Sequence, residues 1–160
     1  MNIAIGADHR GEKTIEPLCV LLKNEGHEVW LPEACPVGQP CDYPDRAWQI
    51  CNHIASGEAD RGILICGSGI GMSIAANKID GIRAALVHDE LTAQMSRGHN
   101  DANVLCLSAD LLGQKLIENI VKIWLTTEFE GGRHERRVRK IAMIEQGIDP
   151  ATASADQPVA

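Results

Sequence analysis

The residues best suited to chemistry lie in one stretch, residues 63–78, where a thiol and a hydroxyl are set among glycines. A short apolar run rich in β-branched residues predicts a buried strand that ends at Cys66. Ser68 follows in a turn whose glycines let a ligand approach the main chain. These glycines are Gly67, Gly69 and Gly71. The N–H groups that open the next helix favour a thiolate, a bound anion or a developing oxyanion.

Two commoner glycine motifs do not fit this stretch. A dinucleotide fingerprint needs a small residue three places after its second glycine, where this chain has Met72 or Ile74. A P-loop needs Gly-Lys-Ser or Gly-Lys-Thr, and the stretch has neither. By shape alone, a phosphate or sugar turn and a purely structural turn both stay open. The first is favoured, because ligands bind at strand ends in doubly wound folds.

Composition excludes several classes of function. The 160 residues, 44% hydrophobic and 23% charged, predict one globular domain. A net charge of −7 and a pI near 5.3 argue against nucleic-acid and anionic-membrane partners. The six cysteines show no Cys-x-x-Cys spacing, so we expect no metal site, and no motif predicts an organic cofactor. We find no signal peptide or membrane span and expect a location in the reducing cytoplasm.

The order of the predicted elements indicates the fold class. Strands alternate with helices, which predicts parallel βαβ units with right-handed crossovers. We expect strands at residues 2–6, 27–31, 62–66, 82–87 and 103–107. We expect helices at 12–25, 42–57, after the glycine turn, at 89–97, at 110–126 with Asp110 as N-cap, and at 133–146. Residues 1–146 should form a single domain, and 147–160 a disordered tail.

The glycine stretch is identified as the signature of a known family. Residues 66–78 read Cys-Gly-Ser-Gly-Ile-Gly-Met-Ser-Ile-Ala-Ala-Asn-Lys, which resembles the ribose-5-phosphate isomerase B family, including the galactose-6-phosphate isomerase subunits. Further matches are Gly6-Ala7-Asp8-His9, Asp42-Tyr43-Pro44, Arg97-Gly98-His99-Asn100-Asp101 and Gly131-Gly132-Arg133-His134. The resemblance covers residues 1–146 and implies a Rossmann-like three-layer sandwich: a five-stranded parallel sheet with an extra C-terminal helix.

The resemblance also implies an activity, the metal-free interconversion of an aldose and a ketose phosphate through an enediolate. Cys66 would be the carbon base, Ser68 would move protons between the sugar hydroxyls, and His99 would open the sugar ring. From the residues alone, a buried thiol, a turn hydroxyl and a helix-capping histidine remain the alternatives. The residues that the resemblance assigns to sugar binding are Asp8, His9, Tyr43, Gly67, Gly69, Gly71, Ser73 and Asn100.

The last helix carries a candidate phosphate site. Arg133 and Arg137 are four residues apart on one helix face, and two guanidinium groups there suit a phosphate monoester. The resemblance implies that they serve a partner subunit. We therefore expect a homodimer with shared active sites, with Cys66 and His99 from one chain and the two arginines from the other; a tetramer stays open.

One position departs from the family pattern. Many relatives carry an arginine just after the fifth strand, where this chain has Asp110, and a carboxylate there would repel a phosphate. Ribose 5-phosphate and ribulose 5-phosphate are the expected pair. Allose or galactose 6-phosphate, or a tetrose phosphate, is the alternative, and a non-catalytic phosphosugar-binding module is the competing class. A binding module would not need Cys66, Ser68 and His99 together.

Overall fold

Five parallel strands form the central sheet. They are β1 (Asn2–Ala7), β2 (Glu28–Trp30), β3 (Arg61–Cys66), β4 (Ala84–Leu86) and β5 (Val104–Ser108). In this computed structural model, which describes residues 1–34 and 40–153, they pair in the order β2-β1-β3-β5-β4. All four pairings are parallel, so β1, β3 and β5 end together at one carboxyl edge and begin together at the opposite amino edge. The Rossmann-like α/β prediction is confirmed.

Side chains of the central strands alternate between two buried clusters. Ile63 and Ile65 point to one cluster with Ile3 and Ile5, while Leu64 and Cys66 point to the other. This alternation is the period of two that a strand imposes. Because both faces are covered, the strands are apolar at nearly every position, which explains why the sequence shows them as continuous apolar runs.

Five helices cover the two faces of the sheet. They are α1 (Glu12–Asn24), α2 (Tyr43–Ala55), α3 (Ile70–Ala76), α4 (Glu90–Gly98) and α5 (Gln114–Thr126). Helices α1, α4 and α5 pack on the cluster with Ile63, and α2 and α3 on the cluster with Cys66. Each helix returns the chain from the carboxyl edge to the amino edge. The loops at the carboxyl edge therefore follow strands, and those at the amino edge follow helices.

Local sequence signals account for most helix boundaries. Pro44 lies in the first turn of α2, as expected of a proline that needs no N–H partner there. Asp89 caps α4, its carboxylate accepting from the Thr92 N–H at 2.7 Å. Pro17 lies inside α1, beyond its first turn. One boundary prediction is wrong: α5 begins at Gln114 with Gly113 as N-cap, so Asp110 does not cap it.

The last helix, α6 (Arg133–Glu145), lies beside the loop before β4, where the Gly81 N–H donates to Glu145 Oε1 at 2.9 Å. Its main packing is against the short 3₁₀ turn Pro150–Thr152 that follows it. Ile141 and Ile144 are exposed on α6, as expected of a helix that is not followed by a strand of the sheet. A 3₁₀ turn capped by Asp149 lies within the segment 147–160, for which the sequence predicts disorder; residues 154–160 lie outside the described part. None of the described helices is long and apolar enough to cross a membrane.

Candidate active site

Cys66 and the glycine turn occupy the carboxyl edge of the central strand β3. The Cys66 side chain is buried, and its Sγ accepts a hydrogen bond from the Gly69 N–H at 3.1 Å. The Ser68 Oγ accepts from the Ile70 N–H at 3.3 Å, in the partly exposed turn. An N–H donor directed at sulfur stabilises a negative charge there. The predicted thiol and hydroxyl are therefore brought together at one strand end.

Each glycine of the turn has a close neighbour on the side where a Cβ would lie. A Cβ on Gly67 would lie 2.8 Å from Asp110 Oδ2, and one on Gly71 would lie 2.6 Å from the Tyr43 ring. Gly69 has φ +76°, a conformation that favours glycine, and its Cβ would meet Leu86 at 2.6 Å. The turn is thus lined by side chains from other parts of the chain, and Tyr43, which the resemblance assigns to sugar binding, is one of them.

The loop after β1 lies beside this turn. The Asp8 N–H donates to the Ile65 carbonyl at 3.1 Å, and the buried Asp8 Oδ1 accepts from the Arg10 N–H at 2.9 Å. His9 is exposed, with Nδ1 3.3 Å from the Cys41 carbonyl, which requires a proton on Nδ1 if the contact is a hydrogen bond. Asp8, which the resemblance assigns to sugar binding, thus makes local turn contacts at the carboxyl edge.

Arg10 and Asp110 form an ion pair that sequence reasoning missed. Arg10 Nη2 lies 2.8 Å from Asp110 Oδ2, and both side chains are roughly half exposed. The Asp110 N–H donates to the Gly67 carbonyl at 3.1 Å, so the carboxylate is held over the glycine turn. A phosphate at this edge would therefore meet the Arg10 guanidinium together with the Asp110 carboxylate. Nothing local in the sequence links two residues that lie on separate loops.

His99 belongs to the opposite, amino edge. It follows α4, which runs back from the carboxyl edge, and the Asn103 N–H donates to the Arg83 carbonyl just before β4. Arg83 Nε also donates to the Asp101 carbonyl at 2.9 Å, which fixes residues 99–103 at that edge. The six residues of β3 span about 16 Å. The structure therefore does not bring His99 to Cys66, and the expectation that one chain supplies both to a site is wrong.

His99 instead joins a cluster with Glu130 and His134. The His99 and His134 rings stack with centroids 4.2 Å apart and planes 5° apart. The Glu130 carboxylate lies near both Nε2 atoms, with Oε1 3.7 Å from that of His99 and Oε2 3.6 Å from that of His134. Arg133 Nε lies 3.3 Å from His134 Nε2. Burial, and then the neighbouring His99 and Arg133, lower the pKa of His134. Glu130 directly precedes the Gly131-Gly132-Arg133-His134 motif, a signal the sequence analysis did not use.

The remaining predicted residues divide between the two edges. Arg133 and Arg137 are exposed at the start of α6, beside the His99 cluster, and Asn100 is exposed next to His99. Ser73 lies on α3, and its Oγ is 3.5 Å from the Ala84 carbonyl at the start of β4. The Ser73 hydroxyl is therefore directed toward β4 and not into the glycine turn.

The His99 cluster is the one group of described residues with three possible metal ligands within 4.8 Å of one another. An imidazole binds a metal ion in the plane of its ring, at about 2.0–2.1 Å. Two stacked, nearly parallel rings cannot both direct Nε2 at one ion unless a ring turns. Arg133 already contacts His134 Nε2, and its charge opposes a cation. The cluster therefore suits hydrogen bonding and anions better than a metal ion.

Position in the fold separates Cys66 from the other described cysteines. Burial raises the pKa of Cys51 to about 12 and also raises the pKa of Cys106 and of Cys19. These three are free thiols, as is Cys66, whereas Cys41 is disulfide-bonded. A reducing compartment alone does not predict that disulfide. Cys66 is the one free thiol of the described chain that lies at the carboxyl edge.

Comparison with known proteins agrees with this fold. The model of the Ribose/Galactose Isomerase family matches residues 3–141. Ribose-5-phosphate isomerase B of Escherichia coli is 44% identical, over 91% of this chain and 97% of the relative. D-erythrulose-4-phosphate isomerase of Pectobacterium atrosepticum is 41% identical, over 91% and 95%. The solved structure of Clostridium thermocellum ribose-5-phosphate isomerase B has a TM-score of 0.88 and 46% identity, over 92% of this chain and 99% of that one.

The class of the protein follows from these findings: it is an enzyme, a sugar-phosphate isomerase. The chain belongs to the Ribose/Galactose Isomerase family.

Proposed function

We propose that the protein interconverts ribose 5-phosphate and ribulose 5-phosphate through an enediolate, with Cys66 as the carbon base and no metal ion. The observation that carries this proposal is the Cys66 thiol at the end of β3, held against the Gly69 N–H and flanked by Ser68, Asp8 and Tyr43. A base, a hydroxyl and backbone donors at one strand end are what an enediolate needs. Action in the cytoplasm stays a prediction from the sequence.

The proposed proton transfers balance within the site. The Cys66 thiolate removes the proton from C2 of the open-chain aldose, and the electron pair moves onto the carbonyl oxygen. Backbone N–H groups of the glycine turn stabilise the resulting enediolate. Ser68 carries a proton from O2 to O1, and the Cys66 thiol returns its proton to C1, which yields the ketose. No proton or electron is gained or lost overall.

Ring opening and phosphate binding fall to the amino-edge residues. In this proposal, His99 exchanges a proton with the ring oxygen of the cyclic aldose, Asn100 binds the sugar, and Arg133 and Arg137 bind the phosphate. Glu130 and His134 support the role of His99, because they hold its ring by stacking and by a carboxylate near Nε2. A Cβ on Gly98 would lie 3.0 Å from Glu130 Oε1, so the glycine before His99 makes room for that carboxylate.

The separation of the two edges supports a homodimer with shared sites. The length of β3, about 16 Å, lies between the Cys66 turn and the His99 cluster of one chain. A two-fold dimer would bring the amino edge of each chain to the carboxyl edge of the other and complete two identical sites. In this form of the proposal, His99, Asn100, Arg133 and Arg137 come together from the partner subunit.

Exposed apolar side chains support the same assembly. Ile70 and Ile74 lie one turn apart on α3, directly after the glycine turn, and are 52% and 60% exposed. Ile141 and Ile144 are exposed on α6. Apolar residues beside both half-sites would become buried if a second copy docked there, which gives the association a driving force.

A different phosphorylated sugar is the second candidate. One relative is named D-erythrulose-4-phosphate isomerase, and the Arg10–Asp110 pair changes the charges beside the glycine turn. Hexose 6-phosphates such as those of allose or galactose would use the same chemistry. A non-catalytic sugar-phosphate-binding module is disfavoured, since binding alone does not need Cys66 beside an N–H donor.

A coupled assay across four- to six-carbon sugar phosphates tests the substrate. We expect the highest kcat/KM with the ribose 5-phosphate and ribulose 5-phosphate pair. A tetrose or hexose phosphate at least tenfold better would replace the pentose in the proposal. Binding of the whole panel without turnover would support the binding module instead.

Treatment with EDTA tests the metal-free mechanism. We expect activity to be unchanged after dialysis against EDTA, because the proposed base and donors are side chains and backbone N–H groups. Loss of activity on dialysis, with recovery on adding a divalent cation, would contradict the proposal.

A further inference from the structure

The Arg10–Asp110 pair has no part in the mechanism above, although it lies against the residue that follows Cys66. We propose that Arg10 is a phosphate ligand of the carboxyl-edge site and that Asp110 holds its guanidinium in place. The inference rests on the proposed function in one respect: the ligand is taken to be the phosphate group of the sugar substrate.

The position of the pair is the first argument. A Cβ on Gly67 would lie 2.8 Å from Asp110 Oδ2 and 3.7 Å from Arg10 Cγ. Arg10 follows β1 and Asp110 follows β5, the two strands that flank β3. The cation therefore lies over the glycine turn, at the edge where the substrate must meet Cys66.

Both partners are anchored through their backbone. The Arg10 N–H donates to the buried Asp8 carboxylate at 2.9 Å, and the Asp110 N–H donates to the Gly67 carbonyl at 3.1 Å. The ion pair then fixes the free ends of the two side chains. A guanidinium held in this way loses less conformational freedom on binding a ligand than a free surface arginine does.

Donor capacity and charge are the third argument. Among the described residues, Asp110 is the side-chain partner of the Arg10 guanidinium, through Nη2 alone. A guanidinium has five N–H donors, so most of them stay available to a tetrahedral phosphate. Arg10 also balances the Asp110 charge, so a phosphate at this edge does not meet an isolated carboxylate.

The test measures phosphate affinity and catalysis separately in three variants. Inorganic phosphate is titrated as a competitive inhibitor, and its binding is also measured by calorimetry. Arg10→Ala should raise the Ki of phosphate and the KM of the sugar phosphate about tenfold each, with kcat within about twofold, because a charge-assisted hydrogen bond is lost. Arg10→Lys should restore part of the affinity. The matched control is Arg139→Ala, which removes a partly exposed arginine that is paired with Glu135 on α6.

Asp110→Asn sharpens the test. Asparagine can still accept from Arg10 but carries no charge, so phosphate should bind more tightly than to the wild type. Unchanged phosphate affinity in Arg10→Ala, or weaker binding in Asp110→Asn, would overturn the inference. A lower kcat in Arg10→Ala with the Ki of phosphate unaltered would mean that Arg10 only stabilises the local structure, and this result would also overturn the inference. If the wild type turns over no sugar phosphate, the proposed function fails, yet calorimetry still decides whether Arg10 binds phosphate.

Discussion

The carboxyl edge and the amino edge of the sheet are built in different ways. At the carboxyl edge, the position of Cys66 is set mainly by the backbone, through three glycines and main-chain hydrogen bonds, together with the buried Asp8. At the amino edge, side chains hold one another. The His99 and His134 rings stack, and the Glu130 carboxylate lies more than 3.5 Å from the Nε2 atom of each. A turn fixed by its backbone suits the proposed carbon base, whereas the more exposed cluster suits groups that, in the proposed dimer, would meet the substrate from another chain.

Removal of the thiol should give the largest effect and test the carboxyl edge alone. Cys66→Ala should lower kcat by at least about 10²-fold while the fold is kept, because a positioned base is lost. The measurement is steady-state turnover, with circular dichroism as the check on folding. Cys19→Ser is the matched control, since Cys19 is a free thiol on α1 outside both edges. A Cys66→Ala enzyme that retains most of its kcat would show that another group is the base.

Thiol labelling tests the role of Cys66 independently of mutation. Iodoacetamide should modify Cys66 and inactivate the enzyme, and substrate should protect it. Cys51 and Cys106 should stay unmodified in the folded protein, because both are fully buried and burial raises the pKa of each thiol. Peptide mapping of the alkylated protein identifies the modified residue. Inactivation with the label elsewhere would remove this support for Cys66.

Loss of His99 should affect ring opening but not carbon chemistry. His99→Asn should slow net conversion of ribose 5-phosphate about 10²-fold. Exchange of the C1 proton of ribulose 5-phosphate with D₂O should stay within a few-fold of wild type, because the ketose reaches the enediolate without a ring. Proton NMR follows the exchange. The control is His53→Asn, because His53 is a histidine of α2 that pairs with Glu58. Equal loss of both rates would mean that His99 is structural or takes part in the carbon step.

Subunit mixing tests whether the two edges meet between chains. Cys66→Ala and His99→Asn dimers should each be nearly inactive, but refolding them together should return about a quarter of wild-type activity. Random mixing makes about half the dimers hybrid, and one of the two sites in each hybrid is then intact. Arg137→Ala should replace His99→Asn with the same result.

The control for mixing uses two lesions at one edge. Cys66→Ala with Asp8→Asn should give no recovery, because each hybrid site then carries a carboxyl-edge lesion. Native mass spectrometry confirms that hybrids form. Absence of recovery with Cys66→Ala and His99→Asn, in the presence of hybrids, would mean that each chain serves its own site.

The smallest expected effect concerns stability at the amino edge. Because the pKa of His134 is lowered in the fold, the unfolded chain binds its proton first, near the usual histidine value of about 6.5. Stability should therefore fall as the pH drops below about 6.5, until His134 is also protonated in the fold. The charged or titratable groups that face it are His99, Glu130, Arg133 and Arg137.

His134→Gln isolates this contribution. The urea midpoint should fall less between pH 7.5 and pH 5.5 in His134→Gln than in the wild type. His53→Gln, which removes a histidine paired with Glu58, serves as the control. An equal fall in the wild type and in His134→Gln would contradict the proposed linkage.

The sequence allowed the carboxyl edge to be predicted better than the amino edge. Cys66 and the glycine turn are contiguous, and Pro44 sets the start of α2 and with it the place of Tyr43. The Arg10–Asp110 pair joins two loops that are 100 residues apart, and no periodic pattern reports such a contact. The same pair accounts for the wrong boundary of α5. Asp is a residue type favoured at N-caps, but the Asp110 carboxylate binds Arg10 instead.

The wrong placement of His99 had a signal that was not used. A helix between two parallel strands must return to the edge where the next strand begins, so the end of α4 lies at the amino edge. Motif order alone does not distinguish the two edges. Glu130 and His134 were not assigned roles, because their importance comes from stacking and pairing with His99.

The helix α6 packs mainly on the turn that follows it, and it carries the two arginines that the proposed dimer lends to its partner. If the sites are shared as proposed, a free chain has both half-sites but cannot join them, and enzyme concentration becomes a variable of catalysis. When most chains are separate, the number of working sites rises with the square of the total concentration. Specific activity then falls on dilution, and the dilution at which it halves measures the dissociation constant of the pair without any physical separation.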